Sequence, residues 1–434
     1  MDSSTQSILL ELLNFSTCQN NKLFVVGGTL RDFLSQKPCS DFDLTGKNAA
    51  ETGINFSRSL NFTCVPLDKT PGRKTVRVIL DQKHHLDFTD LQGKTIEEDL
   101  SQRDFTINAM GQLLSDFLSG RKNIIDPHKG QEDLKNKKIR VLHGPIISSD
   151  PLRMLRAFRF AATLKFEIDT DTLTNISLHK ARLIESAPER IWHELTLFFK
   201  ATETLPLLKI MHGCGLLDCL FPVSNEAFVQ YQKVASLLKD PAEIFPKYTD
   251  KFSVSAFLDK HYLVKLSVLR MMQNPDSETN PIENTVQRCN LRFSNAEEQL
   301  MQQSISGARF MTEMYLSPEF NEPYELMQKV HQELLASAIL FVTYADGSNT
   351  EDRALFCNHL LKFYFEQYLP TVSEKPLLNG EDIIHQFNLS PSPLFGKILS
   401  SVQKSQVLGN ITTREDAITL AGHIIQSQSN ESNE

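Results

Sequence analysis

The stretch from Leu23 to Thr45, LFVVGGTLRDFLSQKPCSDFDLT, constrains the fold more than any other part of the chain. An apolar run, Leu23 to Val26, ends at the pair Gly27-Gly28. A short amphipathic helix is predicted next, with Leu30, Phe33 and Leu34 on one side and Arg31 and Asp32 on the other. Pro38 marks a loop, and a second strand opens with Asp41, Phe42 and Asp43. Residues two apart in a strand share a face, so Asp41 and Asp43 present two carboxylates together while Phe42 turns into the core.

Two glycines between a strand and a helix let the backbone approach a phosphate, and the helix N-terminus adds unpaired N–H groups and a positive dipole end. Adjacent carboxylates are unfavourable without a cation between them. Oxygen-only ligands suit Mg²⁺, which takes one or two carboxylates plus phosphate oxygens and waters. The combination predicts nucleotidyl transfer from a nucleoside triphosphate. Singly, Gly-Gly is an ordinary turn and Asp-x-Asp an ordinary solvated loop; the order strand, GG, helix, strand, DxD favours the chemical reading.

The 434 residues, 41% hydrophobic and 23% charged, predict a soluble globular protein of roughly two to four domains. No apolar run approaches the roughly 20 residues of a membrane span, and MDSSTQSILLELL at the start lacks a basic n-region, so a cytoplasmic location is expected. The 7 cysteines are scattered without CxxC spacing, which predicts reduced thiols rather than a zinc site or disulfide framework. A net charge of −8 argues against a general nucleic-acid coat. A local basic track survives that argument: residues 121 to 165 carry 11 Lys/Arg against 4 Asp/Glu.

In chain order, a helix is predicted within residues 1 to 22 and another over 49 to 60, followed by strand-like segments at 62–65, 75–80 and 85–91. This alternation predicts an α/β or α+β head with a small sheet. Asp87, in HHLDFTDL, is a candidate third carboxylate, with a solvent-facing strand acid as the equal alternative. Arg103-Asp104 precede an apolar helix predicted over 105–110, in which Asn108 has no helical purpose. Residues 148 to 166 predict an amphipathic helix capped at Ser149 or Asp150, with Pro151 at its first position. Arg153, Arg156 and Arg159 recur on it every three residues. Their guanidinium forks suit triphosphate and base edges; a solvated charged face is the plain alternative.

These motifs together resemble the bacterial-type (class II) tRNA nucleotidyltransferases and their sister poly(A) polymerases. The resemblance lies in VVGGTLRD at 25–32, SDFDLT at 40–45, EEDLSQRDFTINAM at 97–110, IIDPHKGQEDL at 124–134, DPLRMLRAFRF at 150–160 and APERIWHEL at 187–195. It implies an α+β protein with a small mixed-sheet nucleotidyltransferase head over 1–145. An all-α remainder would follow: a neck with the base-reading helix at 146–225, a body at 226–370 and a tRNA-binding tail at 371–424. The polar last ten residues, 425–434, are expected to be disordered.

Carried over residue by residue, the resemblance makes Gly27, Gly28 and Arg31 the triphosphate loop, and Asp41 and Asp43 the Mg²⁺ carboxylates. Arg103 and Asp104, supported by Asn108, would handle the sugar and phosphates of the nucleotide. Asp150 and Arg153 would read the incoming base, with Arg156 and Arg159 as phosphate-contacting and packing companions. Ser149 departs from the family template, which has glutamate there. The short segment between Asp87 and Asp104 is similar to that of enzymes that add only the two C residues. In the body, Met271 and Met272 stand where many relatives carry a His-Asp pair. In the tail, Gly380, Pro391, Pro393 and Gly396 are expected to set turns, and Lys397 and Lys404 are offered for phosphate contacts.

The implied activity is template-independent addition of C and/or A to the 3′ end of tRNA from CTP or ATP, with release of pyrophosphate. A poly(A) polymerase on the same scaffold and a catalytically silent RNA-binding protein are the alternatives.

Overall fold

The computed structural model describes residues 3–68, 74–221, 223–272, 291–317, 322–330, 333–344, 350–390 and 392–431. These divide into two compact units, the first running through Phe221 with residues 291–292, the second comprising the rest from Val223.

The first unit opens with helix α1 (Ser3–Cys18), strand β1 (Leu23–Val26), helix α2 (Gly27–Leu34), strand β2 (Asp41–Gly46) and helix α3 (Ala49–Ser59). Strands β3 (Thr63–Asp68), β4 (Thr75–Ile79) and β5 (His85–Asp90) follow, then helix α4 (Ile96–Leu100), strand β6 (Gly111–Leu113), helix α5 (Leu114–Leu118) and strand β7 (Ile124–Ile125). They form one seven-stranded sheet in the order β3-β4-β5-β2-β1-β6-β7. Only β2 and β5 run parallel; the other neighbours are antiparallel.

Alternation explains how β2 serves two purposes. Phe42 and Leu44 are buried with Leu23, Val25, Leu86 and Phe88, while Asp41 and Asp43 point the other way. Asp90, at the end of β5, has a structural partner: its Oδ1 accepts the Ala50 N–H at 2.9 Å in the first turn of α3.

Helix α6 (Gly130–Lys135), strand β8 (Lys138–Ile139), helix α7 (Ile146–Ser149), helix α8 (Arg153–Leu164), strand β9 (Glu167–Ile168), helix α9 (Thr170–His179), helix α10 (Pro188–Lys200) and helix α11 (Leu205–Gly213) complete the unit. β8 and β9 pair in parallel as a separate two-stranded sheet. In the second unit every named element is helical, so the chain is α+β. No described helix is long and apolar enough to cross a membrane.

Three local expectations are corrected. The helix predicted over 105–110 shrinks to a 3₁₀ turn, Thr106–Asn108, because Phe105 bridges Val141 and the Thr106 N–H is taken by the Arg140 carbonyl. The helix predicted over 148–166 is broken at Asp150, which is extended; its Oδ1 accepts the Leu152 N–H at 3.3 Å and α8 starts only at Arg153. Residues 425–431 are not disordered. They belong to the last helix, Arg414–Glu431, whose Ala417 and Ala421 are buried and whose Ile424 and Ile425 pack on the same core, so extending an already anchored helix is inexpensive. Residues 432–434 lie outside the described residues.

In the tail, Gly380 and Pro393 open helices Gly380–Phe387 and Pro393–Val407, but Gly396 lies inside the latter and sets no turn; Pro391 lies outside the described residues. Of the two tail lysines, Lys404 is paired with Glu322.

Candidate active site

The strand-to-helix junction does what two glycines allow. Gly27 has φ +64°, in the left-handed region, and a Cβ there would sit 3.0 Å from Arg103 Nη1 and 3.1 Å from Asp43 Oδ2. The Gly28 N–H, in the first turn of α2, donates to Asp43. Thr29 stitches this turn to β2: its Oγ1 donates to the Asp41 carbonyl at 2.9 Å and accepts the Asp43 N–H at 2.7 Å. The spacing of GG and DxD is therefore held by a threonine that sequence reasoning passed over.

These groups line a cavity of about 460 Å³. Its wall includes Gly27, Gly28, Arg31, Asp43, Arg103, Asp104, Asn108, Asp150, Arg153, Arg156 and Arg159, so segments far apart in the chain converge there. Asp41 and Asp87 do not line it.

A bonded chain ties the wall together. Arg31 Nη1 donates to Asn108 Oδ1 at 2.8 Å, and Asn108 Nδ2 donates to Asp104 Oδ1 at 3.0 Å. Asp104 Oδ2 accepts from Arg156 Nε at 2.9 Å and Nη2 at 2.7 Å. Arg156 Nη1 reaches Glu194 Oε1 at 3.3 Å, and Arg159 Nε lies 2.7 Å from Glu194 Oε2. The ring of Phe160 is flanked by all three guanidinium groups, with Arg159 nearest at 4.1 Å. Asn108 is thus the polar bridge between Arg31 on α2 and the Asp104–Arg156 pair, which explains a residue with no helical purpose.

Charge follows from this packing. Burial alone would raise the Asp104 carboxyl, but Arg156, Asn108 and the Phe105 N–H outweigh it and hold it below the usual carboxylate range. Burial pushes the Asp43 carboxyl up, against the lowering pull of Arg103 and the Gly28 N–H. Arg159 is lowered by burial despite Glu194.

Asp43 is therefore a half-buried carboxylate whose charged form a nearby cation would favour. Asp41, whose side chain is 58% exposed, adds to its negative field and has His85 Nε2 at 3.0 Å. Asp87 sits directly across from Asp43 in the β2–β5 register, but Arg77 holds its two oxygens at 2.8 and 2.7 Å. Among the described residues no cluster of three metal-ligating side chains forms. The hard oxygens of Asp41 and Asp43 fit a divalent cation that completes its shell with substrate oxygens and water.

Asp150 and Arg153 are also held in place. Asp150 Oδ2 lies 3.1 Å from Arg190 Nη2 on α10. Arg153 donates to the Ile146 carbonyl and, through Nη2, to the Gln102 carbonyl, each at 3.2 Å. Ser149 Oγ turns away to the Ile146 carbonyl.

Comparison with known proteins closes the matter. Residues 23–140 match the model of the poly(A) polymerase head domain, 165–228 that of the RNA- and SrmB-binding site of polymerase A, and 325–421 that of tRNA nucleotidyltransferase domain 2. The chain belongs to the bacterial tRNA nucleotidyltransferase and poly(A) polymerase family.

Within this family, the chain is 29% identical to the CC-adding tRNA nucleotidyltransferase of Geobacter sulfurreducens, over 90% of this chain and 89% of that one. It is 25% identical to the A-adding tRNA nucleotidyltransferase of Halalkalibacterium halodurans, over 92% and 88%. Its fold matches that of a Thermotoga maritima CCA-adding enzyme complexed with tRNA, at TM-score 0.69 and 22% identity, covering 99% of this chain and 96% of that one.

Several residues of the site lay within the quoted motifs, yet the sequence reading gave them no role. Asp99 holds Arg103 at 3.0 Å and also accepts the Gln92 N–H at 3.0 Å, and Gln102 Nε2 donates to the Gln92 carbonyl at 3.0 Å. EEDL and SQRD offered the signal, since an acid four residues before an arginine faces it on one helical turn. Glu194 and Arg190 were within APERIWHEL but without a role to suggest them.

Proposed function

We propose that this protein is a tRNA nucleotidyltransferase that adds C residues from CTP to the 3′ end of tRNA and releases pyrophosphate. The bonded chain from Arg31 through Asn108, Asp104 and Arg156 to Glu194, in one cavity with Gly27-Gly28 and Asp43, carries this reading. It joins a phosphate loop to a base-reading helix.

In this reading the RNA 3′-hydroxyl attacks the α-phosphate, and the pyrophosphate leaves toward Gly28 and the first turn of α2. Arg31 and Arg103 orient the phosphates, each held in its own carboxylate pair with Asp32 and Asp99. Asp41 and Asp43 would hold Mg²⁺, which when bound would supply Lewis-acid charge to the reacting phosphate. The Asp150 carboxylate accepts from the exocyclic amine of the base while Arg153 donates to its ring acceptor, a pattern that cytosine and adenine both offer.

Two observations support C over A. The turn leaving β5 is short and bonded shut, with Gly93 at φ +120°, the Gln92 N–H on Asp99 and the Lys94 N–H on Glu98. The Geobacter and Synechocystis relatives, 29% and 25% identical over 90% and 93% of this chain, are CC-adding enzymes. The reading includes a cytoplasmic location, where tRNA and CTP are found.

Incubation of the protein with labelled CTP or ATP separately, on a 3′-truncated tRNA and on an unstructured RNA, tests this. Incorporation of CTP into the tRNA alone is expected. Long A tails on both RNAs would identify a poly(A) polymerase instead, and no incorporation would leave only an RNA-binding role.

A further inference from the structure

Among the described residues, eight non-glycine positions have positive φ: Asn20, Gln36, Asn48, Asn61, Lys129, Lys137, Lys165 and Asn388. Asn is the side chain best suited to this region after glycine, because its short amide bonds to the local backbone. Lysine has no such compensation. The three lysines, at φ +59°, +54° and +60°, nevertheless all fall within the basic stretch 121–165.

They also share one neighbourhood. Lys129 is the N-cap of α6 and Lys137 follows its C-cap. Lys165 is the C-cap of α8, the helix that carries Arg153, Arg156 and Arg159. β8 pairs Lys138 with Glu167, and the Lys137 carbonyl accepts the Glu167 N–H at 2.9 Å, so Lys137 lies beside the strand that Lys165 precedes by two residues. All three lysines are exposed. Lys138 between them is paired with Glu167 at 2.7 Å, whereas no ion pair among the described residues engages the three. Of the two acids on α6, Asp133 is buried against Thr106 and Arg140, leaving Glu132 at the surface.

Helix α6 is tied down at its start and packs against the active-site turn. Asp126 accepts the N–H groups of Gly130 and Gln131, fixing the start of α6. A Cβ at Gly130 would collide with the Thr106 carbonyl, so α6 abuts the turn that carries Asn108. Whatever the lysines hold is therefore kept in register with the nucleotide site.

We infer that Lys129, Lys137 and Lys165 form a docking surface for the phosphate backbone of the RNA substrate. Cationic side chains stand exposed at left-handed positions where Asn would fold better, with no ion pair among the described residues to use their charge. That the RNA is a tRNA rests on the functional reading above. Each phosphate contact releases counterions and steepens the salt dependence of binding.

The test is the triple variant Lys129→Asn, Lys137→Asn, Lys165→Asn, assayed by thermal unfolding and by binding of a 3′-truncated tRNA transcript across a KCl series. Asn relieves the backbone, so the unfolding midpoint is expected at or above that of the unmodified protein. The slope of log Kd against log [KCl] should be shallower by about 2–3, with affinity at roughly 0.15 M salt reduced about tenfold or more. The matching Lys→Arg triple should keep the slope. A folded Asn variant with unchanged slope and Kd would overturn the docking surface. Extension of the same transcript with CTP by the unmodified protein reports separately on the functional reading, so the two can fail independently.

Discussion

Asp104 Oδ2 receives two hydrogen bonds from Arg156, 52 residues further along the chain, and both side chains are largely removed from solvent. The pair joins segment 103–108 to helix α8. Replacing Arg156 by Ala leaves the buried Asp104 carboxylate without its ion-pair partner, while Glu194 keeps Arg159. A loss of about 3–5 kcal/mol of unfolding free energy is expected in urea titration. Adding Asp104→Asn should recover part of that loss, since the stranded charge is then gone.

The same pair sets an acid limit. The folded carboxyl of Asp104 lies below its ordinary value, because Arg156 and its hydrogen bonds outweigh burial. Its contribution is therefore fully present above the unfolded value of about 3.9 and is lost as pH falls through the folded value. Urea midpoints measured from neutral pH downward should fall below about pH 4, and less steeply in Asp104→Asn.

The three strand acids separate into distinct behaviours. Asp41 is exposed, so Asp41→Ala should change stability by no more than about 0.5 kcal/mol while abolishing transfer. Asp43, raised by burial, favours the folded state in its neutral form, and that preference is lost as pH rises through its folded value. Asp43→Asn should accordingly raise the unfolding midpoint at neutral pH, abolish transfer and remove any stabilisation by Mg²⁺. Asp87, held bidentately by Arg77, should reduce transfer far less on conversion to Asn. Initial rates and thermal shifts with and without Mg²⁺ check all three.

Gly27→Ala combines a left-handed φ with close approach to Arg103 and Asp43. A stability loss of about 1–2 kcal/mol and a larger loss of transfer are expected, the latter appearing as a raised KM for nucleotide.

What the sequence revealed and hid follows from distance along the chain. Gly27-Gly28 and Asp41-Phe42-Asp43 were legible because strand alternation and glycine chemistry act over a few residues. Asn108 was visible only as an oddity, since its partners Arg31 and Asp104 include one 77 residues away. Glu194 carried no local sign that it anchors two arginines of another helix. Segment 105–110 read as a helix because its apolar pattern suits one, yet the bridge from Phe105 to Val141 and the Arg140 carbonyl claimed its backbone first. The break at Asp150 was hidden by a proline that fits a helix start as well as a turn.

The central claim is that this cavity adds C to tRNA. Sequencing the 3′ ends produced from a tRNA lacking CCA, with CTP and ATP both present, tests it most directly. The account predicts products ending in two added C residues. Unextended ends, or ends carrying runs of A, would contradict it.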